Sequence, residues 1–259
     1  MMNNYIIITF LNMTFSGFSS LIQRLNEASL RTVFLSVCPL CEKTLRLCEK
    51  HVCETCFHQF VSLPAPVCQK CQIPLPPFGH FKRCSRCRST FYFFSRTFAV
   101  FAFDPAVQKI LHRIKFQKEH VLLDFFRPWI QTLALAIGSS RYDFLIPVPL
   151  HPRRENERGF NQAHKLARLI NVTLRLPYNG RHLKRVRFTS AQSTLSRSQR
   201  ITTLEGHFQW KGQRLQSKRI LLVDDVLTTG ATVNACAKVL RENGASRVDV
   251  FVLARTLLK

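Results

Sequence analysis

The 259-residue sequence lacks any apolar run near the roughly 18 residues that a membrane-spanning helix requires. Its apolar N-terminus, Met1 to Phe15, has no Lys or Arg ahead of the hydrophobic stretch, unlike a secretory signal. It reads as an extension ahead of a start at Met13, or as a short helix or strand. Internal repeats are lacking too, apart from regularly spaced cysteine pairs. Acidic residues are scarce: 15 against 38 Lys and Arg, a formal net charge of +23. Residues 141–220 carry +13 of this excess, with 17 basic and 4 acidic side chains. Such a field favours polyanions such as nucleic acid, anionic lipid or pyrophosphate; the alternative is a basic but inert surface. The rest of the composition is ordinary. With 46% hydrophobic and 20% charged residues, the chain can hold one good-sized domain and a small one.

Eight of the ten cysteines fall into four C-x-x-C pairs, Cys38/Cys41, Cys53/Cys56, Cys68/Cys71 and Cys84/Cys87, separated by 11, 11 and 12 residues. A C-x-x-C turn aims two thiolates at one centre, and two such turns complete a tetrahedral Zn²⁺ shell. Eight thiols therefore allow two structural zinc sites, with pairing either sequential or interleaved. Cys48, His51, His58 and His80 are spare donors. Disulfides, the competing reading, belong to oxidising compartments, and nothing here looks secreted. The stretch is rich in proline and turns, so a redox-active C-x-x-C beside a βαβ unit does not fit. Without metal, residues 38–87 have too few apolar residues in periodic order to fold alone. Cys236 reads as a small core residue.

The most informative segment is 220–232, Ile-Leu-Leu-Val-Asp-Asp-Val-Leu-Thr-Thr-Gly-Ala-Thr. A continuous apolar run marks a buried parallel strand, and ligands of open α/β sheets bind beyond the carboxyl ends of such strands. The amides of Thr228, Thr229, Gly230, Ala231 and Thr232, opening a helix, suit a phosphate. The carboxylates of Asp224 and Asp225 suit hydroxyl donors or a cation. A sugar phosphate satisfies both.

Upstream, residues 97–104 alternate like a strand, and Asp104-Pro105 caps a helix whose apolar stripe is Val107, Ile110, Leu111 and Ile114. Pro128 should kink or split a second helix over 119–137. A buried strand at 144–148 runs into Pro149-Leu150-His151-Pro152-Arg153-Arg154, a turn suited to anions. Arg158-Gly159-Phe160-Asn161-Gln162 then opens a helix to about residue 175. Residues 184–205, rich in Ser, Thr, Gln and Arg without periodicity, read as a mobile loop of the kind that covers active sites. A helix over 230–243 and a strand over 247–253 complete a βαβ unit.

The L-L-V-D-D-V-L-T-T-G-A-T segment resembles the phosphoribosyl-pyrophosphate (PRPP) motif of type I phosphoribosyltransferases. Taken with the thiol pairs, I-P-V-P-L-H-P-R-R, R-G-F-N-Q and V-L-A-R-T, the chain resembles the ComF family over about residues 38–255. That resemblance implies an α/β fold: a phosphoribosyltransferase-like, mostly parallel sheet with flanking helices over 93–259, preceded by a Cys-rich zinc-binding module over 38–92 and an extension over 1–37. It implies a role in natural transformation, handling single-stranded DNA as it enters the cytoplasm at the inner face of the membrane, beside the DNA-uptake machinery. Asp224 and Asp225 match the ribose-binding acids, and Thr228 to Thr232 match the 5′-phosphate loop. Leu150, His151, Arg153 and Arg154 fall where the pyrophosphate loop lies. The implied ligands are PRPP with Mg²⁺, and structural Zn²⁺. Two functions follow: a module binding PRPP and single-stranded DNA, with stacking on Phe160, Phe188 or Trp210, or an active transferase moving phosphoribosyl to an unidentified acceptor.

Overall fold

The computed structural model describes residues 36–46, 49, 51–60, 63–78, 81–188, 204 and 206–257. The apolar N-terminus and most of the loop expected over 184–205 lie outside the described residues, as do Cys48 and His80. The chain divides into two compact units, 1–57 and 58–259. Among its described residues the first unit holds one cysteine cluster and a single helical turn, α1 (Glu54–Phe57).

The second unit is built on a four-stranded, fully parallel sheet. In chain order its elements are α2 (Ser85–Ser89), β1 (Thr97–Ala102), α3 (Pro105–Phe116), α4 (Leu122–Phe125), α5 (Arg127–Ile137), β2 (Phe144–Pro147), α6 (Pro152–Arg158), α7 (Gln162–Leu174), β3 (Leu183–Arg185), β4 (Phe208–Trp210), β5 (Arg219–Leu227), α8 (Ala231–Glu242) and β6 (Arg247–Arg255). The sheet order is β1-β6-β5-β2, and β3 and β4 form a separate antiparallel pair. Strands β5 and β6 are nine residues each and largely apolar because both faces are covered. Val248, Val250 and Val252 of β6 pack with Val233, Cys236, Ala237 and Leu240 of α8 on one face. Side-chain alternation sends Phe251 and Leu253 to the other, where α5 packs on β1 and α7 on β2 and β5.

Local signals explain the boundaries. Asp104 caps α3, its carboxylate accepting from the Val107 amide at 2.8 Å, and the expected stripe is wholly buried. Pro128 splits the expected second helix: α4 stops at Phe125 and α5 begins at Arg127, placing the proline in its first turn. Residues 184–185, expected within the mobile loop, belong instead to β3, because Leu183 is buried and the segment pairs with β4. Helix α6, a single seven-residue element starting at Pro152, stands where a turn was expected.

Asn161 joins the sheet to α7. Its side-chain amide donates to the Val148 carbonyl at 3.0 Å, and its oxygen caps α7 through the Ala163 amide at 2.9 Å. Since the residue is buried, both bonds are shielded from water. Asn161→Ala should therefore cost about 1–3 kcal/mol, combining a lost cap with an orphaned carbonyl. A urea-unfolding midpoint equal to wild type would contradict this account.

Candidate functional site

The carboxyl end of β5 carries Asp224 and Asp225, one strand from the sheet edge and flanked by β2 and β6. Local bonds orient both carboxylates: the Asp225 amide donates to Asp224 Oδ1 at 2.9 Å, and the Val226 amide to Asp225 Oδ1 at 2.7 Å. Burial pushes the Asp224 carboxyl up to about 7, and the neighbouring Asp225 charge adds to the rise. Lys115, at the end of α3, opposes it by placing Nζ 2.6 Å from Asp225 Oδ2. Two further cations approach the pair. Arg158, at the end of α6, feels the charge of Asp225, and Arg185, on β3, feels that of Asp224. Burial is the largest influence on both guanidiniums and lowers their pKa. The acids are thus met by cations from three separate elements. Cys236 of α8 is fully buried close to Asp224, and burial pushes its thiol well above the ordinary range, as fits a core residue.

Past the acids the chain leaves β5 through Thr228 and Thr229 and enters α8 at Ala231. Gly230 sits at the N-cap with φ 86°, the left-handed region where a side chain would be strained. The Ala231 amide is held by Thr229 Oγ1 at 3.3 Å. Gly230 offers no side-chain cap, so apart from the Ala231 amide the first turn presents its amides at the carboxyl end of the sheet. The expected cradle, Thr228 to Thr232, therefore sits directly beside the acid pair in sequence and in fold.

The segment assigned to pyrophosphate is organised differently from expectation. Leu150 ends the stretch after β2, and His151 caps α6 through Nδ1, which accepts from the Arg153 amide at 3.2 Å. Arg153 is exposed, pairs with Glu157 at 3.3 Å, and lies 4.9 Å from the Phe188 ring. Arg154 shares that ring at 5.9 Å and lies within electrostatic reach of Arg158 and Arg185. Of the aromatics considered for stacking, Phe160 is buried against His120, with ring centroids 3.9 Å apart. Phe188 is 40% exposed. Trp210 is partly buried and its indole donates to the Gln213 carbonyl at 2.8 Å.

The cysteines resolve their pairing as sequential. Cys38, Cys41, Cys53 and Cys56 form one group, and Cys68, Cys71, Cys84 and Cys87 another, with ligand atoms in each all within 4.8 Å of one another. Sulfur separations of 3.6 Å for Cys41–Cys53 and 3.8 Å for Cys71–Cys84 fit a tetrahedron with metal–sulfur bonds of about 2.3 Å, whose edge is about 3.8 Å. Amides of Cys53 and Cys84 point at the sulfurs of Cys38 and Cys68, at 3.5 and 3.4 Å, as they would toward thiolates. The two knuckles repeat one geometry. Glu42 and Gln72, four residues after the first cysteine of each group, both adopt positive φ (65° and 61°) and donate back to the Cys38 and Cys68 carbonyls. Both groups could hold a metal. None of the nine described cysteines is in a disulfide.

Residues 157–257 match the model of the phosphoribosyl transferase domain. Across 229 residues the chain is 32% identical to DNA utilization protein YhgH of Salmonella typhi, spanning 85% of this chain and 97% of the relative. It is 28% identical to competence protein F of Haemophilus influenzae over 227 residues, 84% of this chain and 96% of the relative. Competence protein ComFC of Bacillus subtilis is 27% identical over 213 residues, 80% and 85% of the two chains. The fold is that of a type I phosphoribosyltransferase domain with Cys-rich clusters ahead of it. The chain belongs to the ComF family.

Asp224 makes a prediction with a sign. Its folded value of about 7 lies above the ordinary 3.8, so its contribution to stability is fully present below 3.8 and is lost as pH rises through about 7. Asp224→Asn should therefore gain stability relative to wild type as pH rises across that window. Thermal melts over the same window check it; parallel curves for the two proteins would contradict the raised value.

Proposed function

We propose that the chain is a ComF-type protein of natural transformation that binds Mg²⁺-PRPP at the carboxyl end of β5. In this reading it handles single-stranded DNA in the cytoplasm, at the inner face of the membrane. The observation that carries the sugar-phosphate part is the direct succession of a partly buried acid pair and a helix-opening amide turn. Asp224 and Asp225 would accept the ribose hydroxyls, and the 228–232 amides the 5′-phosphate. Arg154, Arg158 and Arg185 supply positive charge for the pyrophosphate end. Lys115 neutralises Asp225 until a ligand arrives. Mg²⁺ supplies charge neutralisation on the pyrophosphate when bound. The relatives named for competence and DNA utilization, and the excess of +13 on residues 141–220, support the DNA part.

An enzymatic reading shares the same site. A phosphoribosyl transfer would pass through an oxocarbenium-like state at the ribose C1, stabilised by the acid pair and by exclusion of water. The donor set of both cysteine clusters, four thiolates each, favours zinc over harder cations.

Two measurements test the proposal. Calorimetric titration of Mg²⁺-PRPP into the metal-loaded protein should show binding, and Asp225→Asn should weaken it about tenfold or more, by losing a charge-assisted acceptor worth ~1.5–3 kcal/mol. Unchanged affinity in that variant would refute the assignment. Metal analysis of anaerobically purified protein should find two equivalents of zinc, and their absence would remove the zinc assignment.

A further inference from the structure

The last residue of β6, Arg255, is charged yet fully buried. Its guanidinium reaches two places at once. Nε donates to the backbone carbonyl of Cys71 at 2.8 Å, within the second cysteine cluster. Nη1 donates to the Leu227 carbonyl at 2.6 Å and to that of Thr228, the two residues that lead β5 into the amide turn. Backbone bonds reinforce the second contact, since the Thr256 amide donates to the same Leu227 carbonyl at 3.0 Å. No carboxylate pairs with Arg255 among the described residues; its guanidinium meets carbonyl oxygens and the Cys71 side chain. A cation taken out of water without a counter-charge is costly. The nearest source of negative charge is the cluster itself, where four thiolates around one divalent metal carry a net charge of about −2. The four thiols also belong to the same apolar cluster as Leu227, Val233 and Cys236, so the screening between them and the guanidinium is weak.

We propose that Arg255 is a positioning residue that couples the second cysteine cluster to the phosphate turn. A loaded cluster neutralises and holds the guanidinium. That fork holds the carbonyls of Leu227 and Thr228, and those carbonyls set the direction of the amides that follow. Occupation of one site then favours occupation of the other, because such a coupling is reciprocal by linkage. The first cluster, Cys38 to Cys56, belongs to the other unit. The ligand half of this inference rests on the sugar-phosphate reading above, whereas the mechanical half, cluster to turn, does not.

The test uses the full chain loaded with zinc. Transfer of zinc to a chromogenic chelator is followed with and without saturating Mg²⁺-PRPP. One of the two equivalents should leave at least ~5-fold more slowly with ligand, the other at an unchanged rate. Arg255→Lys keeps the charge but not the planar fork. With both zinc ions still bound, it should lose that protection, and its amides at 228–232 should exchange hydrogen at least ~5-fold faster than wild type. A ligand that binds by calorimetry yet leaves both release rates unaltered overturns the coupling, and this wild-type result stands even if Arg255→Lys fails to fold. If wild type binds no Mg²⁺-PRPP, the sugar-phosphate reading falls. The coupling is then decided by wild-type exchange at 228–232 before and after removal of the zinc: acceleration supports it, and unchanged rates overturn it.

Discussion

The pairing of β5 with β6 is the constraint on which the rest of the second unit depends. The register runs from Arg219 opposite Arg247 to Leu227 opposite Arg255, almost the full length of both strands. Hydrophobic burial drives it, since Ile220 to Val223 and Val248 to Ala254 are shielded on both faces, Asp249 included. Its consequence is positional. A slip of one residue would turn every side chain to the opposite face and move the acid pair, the amide turn and Arg255 away from their partners together. Asp249, the polar interruption in β6, is answered by the Tyr142 hydroxyl at 2.7 Å and by Arg247, so the ladder is not weakened there.

Electrostatics in the site are balanced locally although the chain is strongly basic. Lys115, Arg158 and Arg185 come from α3, α6 and β3, and their convergence on two adjacent carboxylates uses a small part of the positive excess. Desolvation holds Asp224 toward its protonated form while Asp225 is matched by Lys115. The two neighbouring acids thus sit in unequal environments, one desolvated and the other ion-paired.

Features with a local cause were legible in the sequence. The Asp104-Pro105 start, the break at Pro128, the apolar run into paired acids and the thiol spacing each follow from propensity or metal geometry. The rest depends on tertiary placement. Sequential and interleaved thiol pairing have the same spacing, and only the folded knuckles distinguish them. Lys115 reads as a solvated residue off the apolar stripe of α3, because nothing in that helix reveals which strand end it faces. Arg255 lies beyond the strand expected over 247–253, and nothing in the sequence signals its burial, which follows from the cysteine cluster packed over it. Helix α6 is too short, and too rich in Arg and Glu, for periodicity to register. Phe160 is apolar in a basic segment, and whether it stacks on a ligand or on His120 is decided by how α7 docks.

The strand order also dictates when each part can form as the chain is synthesised. Both cysteine clusters are complete by residue 87, before any strand of the sheet has emerged. The knuckles close over short stretches, so they can fold while translation continues. The sheet cannot. Among the described residues β1 pairs with β6 alone, whose partner residues lie about 150 positions later, so Thr97 to Ala102 must wait unpaired until β6 is made. Arg255 then arrives last and lands on a cluster that is already built. A nascent chain of this protein therefore exposes an unpaired β1 edge, with its apolar residues, from the time β1 is made until β6 follows it. Such an unpaired edge is a site for chaperone cover, and for aggregation when elongation stalls.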